Sequence, residues 1–131
     1  MAKDENLPRY FIKIVRDGAK NSYNRSESCE ICGTTQEVQF HHFNTLSVLI
    51  NEWVEKRGLV FTSLDDAIEW RQKFIDEHKV ELYEEAATLC KEHHQRLHAV
   101  YGRNPSLGTA KKQARWVQRM KEKHGKLEIL D

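Results

Sequence analysis

The stretch that decides the fold is Leu89-Cys90-Lys91-Glu92-His93-His94-Gln95-Arg96-Leu97-His98. It opens apolar, turns polar, and carries one thiol and three imidazoles between positions 90 and 98. Cys90 and His93 stand three positions apart, so both can grip one ion from a single turn. His94 and His98 stand four apart, which on a helix puts both rings on one face. The run therefore reads as a strand over 86–89 feeding a helix over 90–101, with Gly102 as its stop.

Upstream lies a matching pair of signals. Cys29-Glu-Ile-Cys32-Gly33 has the spacing and the glycine of a tight metal knuckle, and Cys29-x-x-Cys32 with Cys90-x-x-His93 makes four ligands for tetrahedral zinc. All three cysteines are then used, and an odd thiol count argues against a disulfide framework. The plainer alternative leaves Cys90 as a buried apolar residue and His93 on the surface. Residues 37–43 (EVQFHHF) are aromatic and β-branched, as a strand requires, and carry His41-His42. Five of the seven histidines lie in the two stretches 41–42 and 93–98, which points to a second metal site between His94, His98 and a strand histidine. Strand neighbours face opposite sides, so His41 and His42 have different jobs.

The remaining elements surround these. Residues 7–16 read as a short helix opened by Pro8, or as a strand, with Gly18 ending either. Leu46, Leu49, Ile50, Trp53 and Val54 mark an amphipathic helix closed by Gly58. Ser63 with Asp66 caps another, with Leu64, Ala67, Ile68, Phe74 and Ile75 as its apolar face. Residues 80–89 are expected to return to the sheet. After the turn-rich 103–108, Thr109 caps a last helix to about His124, its apolar side formed by Trp116 and Met120 with Ala110, Ala114 and Val117.

The net charge is only +1, yet it is unevenly spread. Residues 99–126 hold eight basic side chains against Glu122 alone, whereas 52–85 carry ten acids and five bases. The basic flank, with Lys111, Lys112, Arg115 and Arg119, suits a phosphate backbone, and Arg96 on the preceding helix is a further contact. No apolar run is long enough for a membrane span, and residues 1–6 lack the apolar stretch of a signal peptide, so a cytoplasmic protein is expected. A chain of 131 residues with mean hydropathy −0.75 builds one modest core, and a metal staple would help it.

The Cys-x-x-Cys knuckle, the strand ending in His41-His42 and the run from Leu89 to His98 together resemble the HNH (ββα-metal) endonucleases. The likeness covers about 29–98, and its small stand-alone members occur in phages and mobile elements. It implies an α+β fold: a ββα-metal core with a zinc knuckle, helices inserted between the hairpin strands over about 45–79, and a C-terminal basic helix. The nuclease domain would span 1–102, with its core over 29–101, and 103–131 would be linker and basic helix. The resemblance makes His41, His94 and His98 ligands of a catalytic divalent metal (Mg²⁺, Mn²⁺, Ni²⁺ or Zn²⁺) and His42 the general base. It gives His93 to the structural zinc.

Glu85 falls where this family carries asparagine, as a metal ligand or as a hydrogen-bonding tie across the hairpin loop. The substrate implied is DNA, cut to 5′-phosphate and 3′-hydroxyl ends. A single site would nick; double-strand cutting would call for a dimer. The alternative is a zinc-stapled nucleic-acid-binding module without catalysis, and a third reading is an adaptor that binds protein through the acidic helices.

Overall fold

The computed structural model describes the backbone of residues 7–23 and 25–130, and the side chains of 9–23 and 25–125. The charged stretch 1–6 and the side chains of Pro8 and Lys126 lie outside the described residues. The chain runs α1 (Leu7–Ala19), β1 (Val38–His42), α2 (Leu46–Arg57), α3 (Leu64–Glu77), β2 (Ala86–Cys90), α4 (Lys91–Tyr101) and α5 (Ala110–Leu130). Short 3-10 turns follow α1 (Lys20–Ser22) and precede α5 (Leu107–Thr109), and a π-helical turn (Val80–Glu84) leads into β2.

β1 and β2 pair antiparallel, His41 opposite Ala87 and His42 opposite Ala86. The mixed α+β architecture expected from the sequence is therefore present, with α2 and α3 between the two strands and α4 directly after the second. The side chains pack into two apolar clusters. The first joins the inner faces of α1, α2 and α3 through Phe11, Val15, Ile50, Trp53, Phe74 and Leu82. Phe11, Val15 and Ala19 recur every fourth residue and are wholly buried, which makes one stripe of α1. The second gathers Cys29, Ile31, Leu89, Cys90, Leu97 and Trp116 around the sheet, α4 and α5.

Gly58, at φ +60°, ends α2 with its N–H bonded to Glu55 and Val54 carbonyls, the left-handed stop that glycine adopts without strain. Ser63 caps α3, its hydroxyl accepting from Asp66 N–H at 3.1 Å, while the Asp66 carboxylate accepts from Thr62 N–H.

Several expectations are corrected. Of the two readings of residues 7–16 the helix holds, but it runs to Ala19 and Gly18 lies inside it, where a Cβ would sit 2.7 Å from Arg71 Cδ of α3. Residues 80–84 form a π-helical turn instead of strand, and only 86–90 pair with β1. On α3, Leu64 and Ile68 are exposed; Trp70 supplies the packing that they were expected to give. On α5, Ala114 is exposed, and Gln113 occupies the buried position beside Trp116 and Val117. Thr109 precedes α5, but its hydroxyl accepts from the Gln113 side chain and donates to the Ser106 carbonyl. The helix also continues beyond His124, to Leu130.

Phe11 has no exposed surface and stacks on Phe61, with ring centroids 4.4 Å apart. Phe11→Ala is expected to cost about 3–5 kcal/mol in urea unfolding, the usual range for emptying such a site. A loss below about 1 kcal/mol would show that this helical cluster is not a packed core.

Candidate active site

The knuckle is built by its own backbone. Gly33 (φ +76°) lets the chain reverse, so that Gly33 N–H reaches the Cys29 carbonyl and Cys29 N–H reaches Thr34 O. Ile31 N–H points at Cys29 Sγ, 3.4 Å away, and Glu30 N–H ties the turn to Thr88 of β2. Cys90 ends β2 and caps α4, its sulfur accepting from His93 N–H.

The result is a four-cornered group of Cys29, Cys32, Cys90 and His93, with all ligand atoms within 4.8 Å of one another. Cys32 Sγ lies 3.9 Å from Cys90 Sγ, and His93 Nδ1 lies 3.2 and 3.8 Å from the sulfurs of Cys90 and Cys29. A tetrahedral ion with metal–sulfur bonds of about 2.3 Å needs sulfurs about 3.8 Å apart, so the donor set fits. Burial pushes the Cys32 thiol up to about 11. At Cys29 burial also acts upward, but hydrogen bonds from the Cys32, Cys90 and Ile31 backbones outweigh it and hold that thiol below its usual value.

The second group is His41, His94 and His98, again with ligand atoms within 4.8 Å. His94 Nε2 lies 3.0 Å from His41 Nδ1 and 3.1 Å from His98 Nε2. The outer nitrogen of each ring faces an oxygen. His98 Nδ1–H donates to the Gly102 carbonyl (2.8 Å), His94 Nδ1–H to Gln39 Oε1 (2.6 Å), and His41 Nε2–H to Gln113 Oε1 (2.8 Å). The Gln113 amide is oriented by its own NH₂, which donates to the Phe43 carbonyl and Thr109 hydroxyl.

With the protons held on the outside, three lone pairs converge on one point with none between them. Such a set repels itself unless a cation sits there. Its spacings suit neighbouring ligands on metal–nitrogen bonds of about 2.1 Å. Burial, opposed by the Gln113 hydrogen bond, lowers His41 to about 4, and burial also lowers His94.

His42 faces the other side of β1, as strand alternation requires. Its Nε2–H donates to the Leu82 carbonyl at 3.1 Å, leaving Nδ1 free to accept. That carbonyl stands in the π-helical turn where α3 hands over to β2. Tyr23 and Phe40 pack edge-on against the ring, with centroids 4.9 and 5.1 Å away. Burial, with a smaller contribution from the Arg16 charge, lowers His42 to about 4, so the imidazole is neutral at pH 7. His41, His42, His94 and His98 all line one cleft of about 460 Å³.

Glu85 is not part of the three-histidine group among the described residues. Its carboxylate accepts from Asn44 Nδ2 at 3.2 Å and its carbonyl from Phe43 N–H, so it ties the mouth of the insertion together. Arg96 is exposed and paired with Glu92 one turn away at 3.3 Å. Lys111, Lys112, Arg115 and Arg119 lie on the exposed side of α5. None of these five basic residues lines the cleft; Arg16, Lys20 and Arg103 do. Gln39 and Gln113, which orient the rings of His94 and His41, were also missed, because a lone glutamine carries no sequence signal of that role.

Residues 1–127 match the nicking endonuclease family of phage T5. The chain belongs to that family. Membership makes it a DNA endonuclease. No solved structure matches the chain. No helix among the enzyme's described residues is long and apolar enough to cross a membrane.

Cys29→Ser is expected to abolish metal binding at the four-cornered group and to lower the Tm, since a structural metal site contributes folding energy directly. Metal content by mass spectrometry and a thermal melt check this. An unchanged melt in a protein that never held metal there would contradict it.

Proposed function

We propose that the chain is a metal-dependent endonuclease of the HNH (ββα-metal) type, with two metal sites of different purpose. Cys29, Cys32, Cys90 and His93 hold a structural zinc ion that fixes the start of α4 to the knuckle. His41, His94 and His98 hold a catalytic divalent ion, and His42 is the general base. The observation that carries the reading is the convergence of three imidazole lone pairs whose outer N–H groups are already committed to oxygens. The division into a nuclease domain over 1–102 and a basic arm over 103–131 belongs to the same proposal, as does DNA contact by Arg96, Lys111, Lys112, Arg115 and Arg119.

A divalent ion in the three-histidine group would neutralise charge on the scissile phosphate and on the leaving 3′ oxygen. The protein's own residues supply the rest. His42 Nδ1 accepts the proton of the attacking water, while the bond to Leu82 O keeps Nε2 protonated and the ring aimed. Tyr23 and Phe40 restrict the ring's tilt. Gln39, Gln113 and the Gly102 carbonyl fix the tautomers of the ligand histidines. The water oxygen bonds to phosphorus as the 3′ O–P bond breaks, and the released 3′ oxygen takes a proton from solvent, which leaves 5′-phosphate and 3′-hydroxyl ends; one such site breaks one strand.

Supercoiled plasmid incubated with Mg²⁺ or Mn²⁺ should be nicked by the wild type, and His42→Ala should lose about 10²- to 10⁴-fold in rate while keeping its zinc. Equal nicking by both proteins would remove His42 from the chemistry. Gln113→Leu should weaken Mn²⁺ binding to zinc-loaded protein by about 10- to 100-fold in calorimetric titration, the usual effect of losing a hydrogen-bond partner behind a ligand. Unchanged affinity would mean that the His41 tautomer is set by something else.

A further inference from the structure

The cleft above the histidines has two walls that the proposed chemistry does not use. One is the end of α1 and the turn after it, where Arg16 and Lys20 stand four residues apart on one face. The other is the loop after α4, where Arg103 and Asn104 line the same cleft. Asp17 is the single carboxylate in the lining, against three cations. Among the described residues, Arg16, Lys20 and Arg103 have no carboxylate within ion-pair distance. Three cations with no ion pair among the described residues, lining the same cleft as four imidazoles, form a site suited to a polyanion.

The loop wall is also braced. The Thr45 hydroxyl, just ahead of α2, donates to the Pro105 carbonyl at 2.5 Å. His98, one of the converging imidazoles, donates to the carbonyl of Gly102, the residue before Arg103. The position of Arg103 is thereby tied to the histidine centre through one residue of backbone.

We propose that Arg16 and Arg103 hold the backbone phosphates on either side of the scissile one, with Lys20 extending the α1 wall, so that the N-terminal helix sets the register of the cut strand. The inference rests on the three-histidine reading and adds the path of the DNA. Arginine suits the task because its planar fork can bond two phosphate oxygens at once. Helix α5 then contacts DNA outside the cleft and adds affinity without setting the position of the break.

The test pairs binding with cutting. Binding of a fluorescein-labelled duplex is followed by anisotropy across a salt series in Ca²⁺, and cutting by single-turnover plasmid nicking in Mg²⁺ at saturating enzyme. Arg16→Ala and Arg103→Ala should each flatten the slope of log K against log salt by about 0.9, the value for one lost phosphate contact, and slow single-turnover nicking at least tenfold. Arg16→Lys should restore the slope but only part of the rate. Lys56→Ala, on the exposed side of α2, should change neither. Zinc content and circular dichroism show whether each variant is folded, and Arg16→Gln serves if Arg16→Ala is not. Wild-type slope and rate in folded Arg16 and Arg103 variants, with His42→Ala inactive, would overturn the phosphate contacts alone. Nicking by His42→Ala at the wild-type rate would overturn the histidine reading and this inference with it.

Discussion

A slip of one residue in the pairing of β1 with β2 would exchange the faces of His41 and His42, and the candidate site would vanish. Everything else in the molecule bears on that register. The knuckle is bonded to β2 through Glu30 N–H and Thr88 O, and the Lys91 N–H bond to the Glu37 carbonyl closes the ladder's far end. Cys90 is at once the last residue of β2 and the cap of α4, so an ion in the four-cornered group would fix strand, helix and knuckle together. Because α4 starts at that corner, His94 and His98 project toward His41 and Gln39 on one face of the strand pair.

The helices between the strands are more than filler. Their hydrophobic cluster is separate from that of the sheet and closes around α1, which puts Arg16 and Lys20 at the cleft. Their last turn is a π-helical one, and it offers the Leu82 carbonyl to His42. The Asn44–Glu85 bond closes the base of the insertion, so its length does not disturb the two strands that flank it. On the opposite side, α5 brings Gln113 into a fully buried position where one amide bonds His41, Phe43 and Thr109.

Much of this was legible in the sequence because ligand chemistry has strict spacing. Three-residue and four-residue intervals announced both histidine-containing groups, and β-alternation separated His41 from His42. The Gly58 and Gly102 stops and the Ser63 cap were equally plain, whereas Gly18 lies inside α1. What could not be read was long-range placement. Arg16 and Lys20 look like any solvated helical pair until α1 is docked. Gln113 looks like a surface residue, since a buried amide satisfied by three partners has no local signature. Leu64 and Ile68 fit the helical period, yet α3 buries Ala67, Phe74 and Ile75 and leaves those two exposed among the described residues. The π-helical turn escaped because residues 80–84 are as β-like in composition as the strand that follows.

The ring protons of His41, His94 and His98 point away from a common centre before any metal arrives. Long-range ¹H–¹⁵N correlation spectra of the histidine rings, recorded at neutral pH on protein carrying zinc at the cysteine site only, test this directly. The structure predicts His94 and His98 protonated at Nδ1, and His41 and His42 protonated at Nε2. The opposite tautomer at His41 or His94, or a proton shared between their facing nitrogens, would contradict the account.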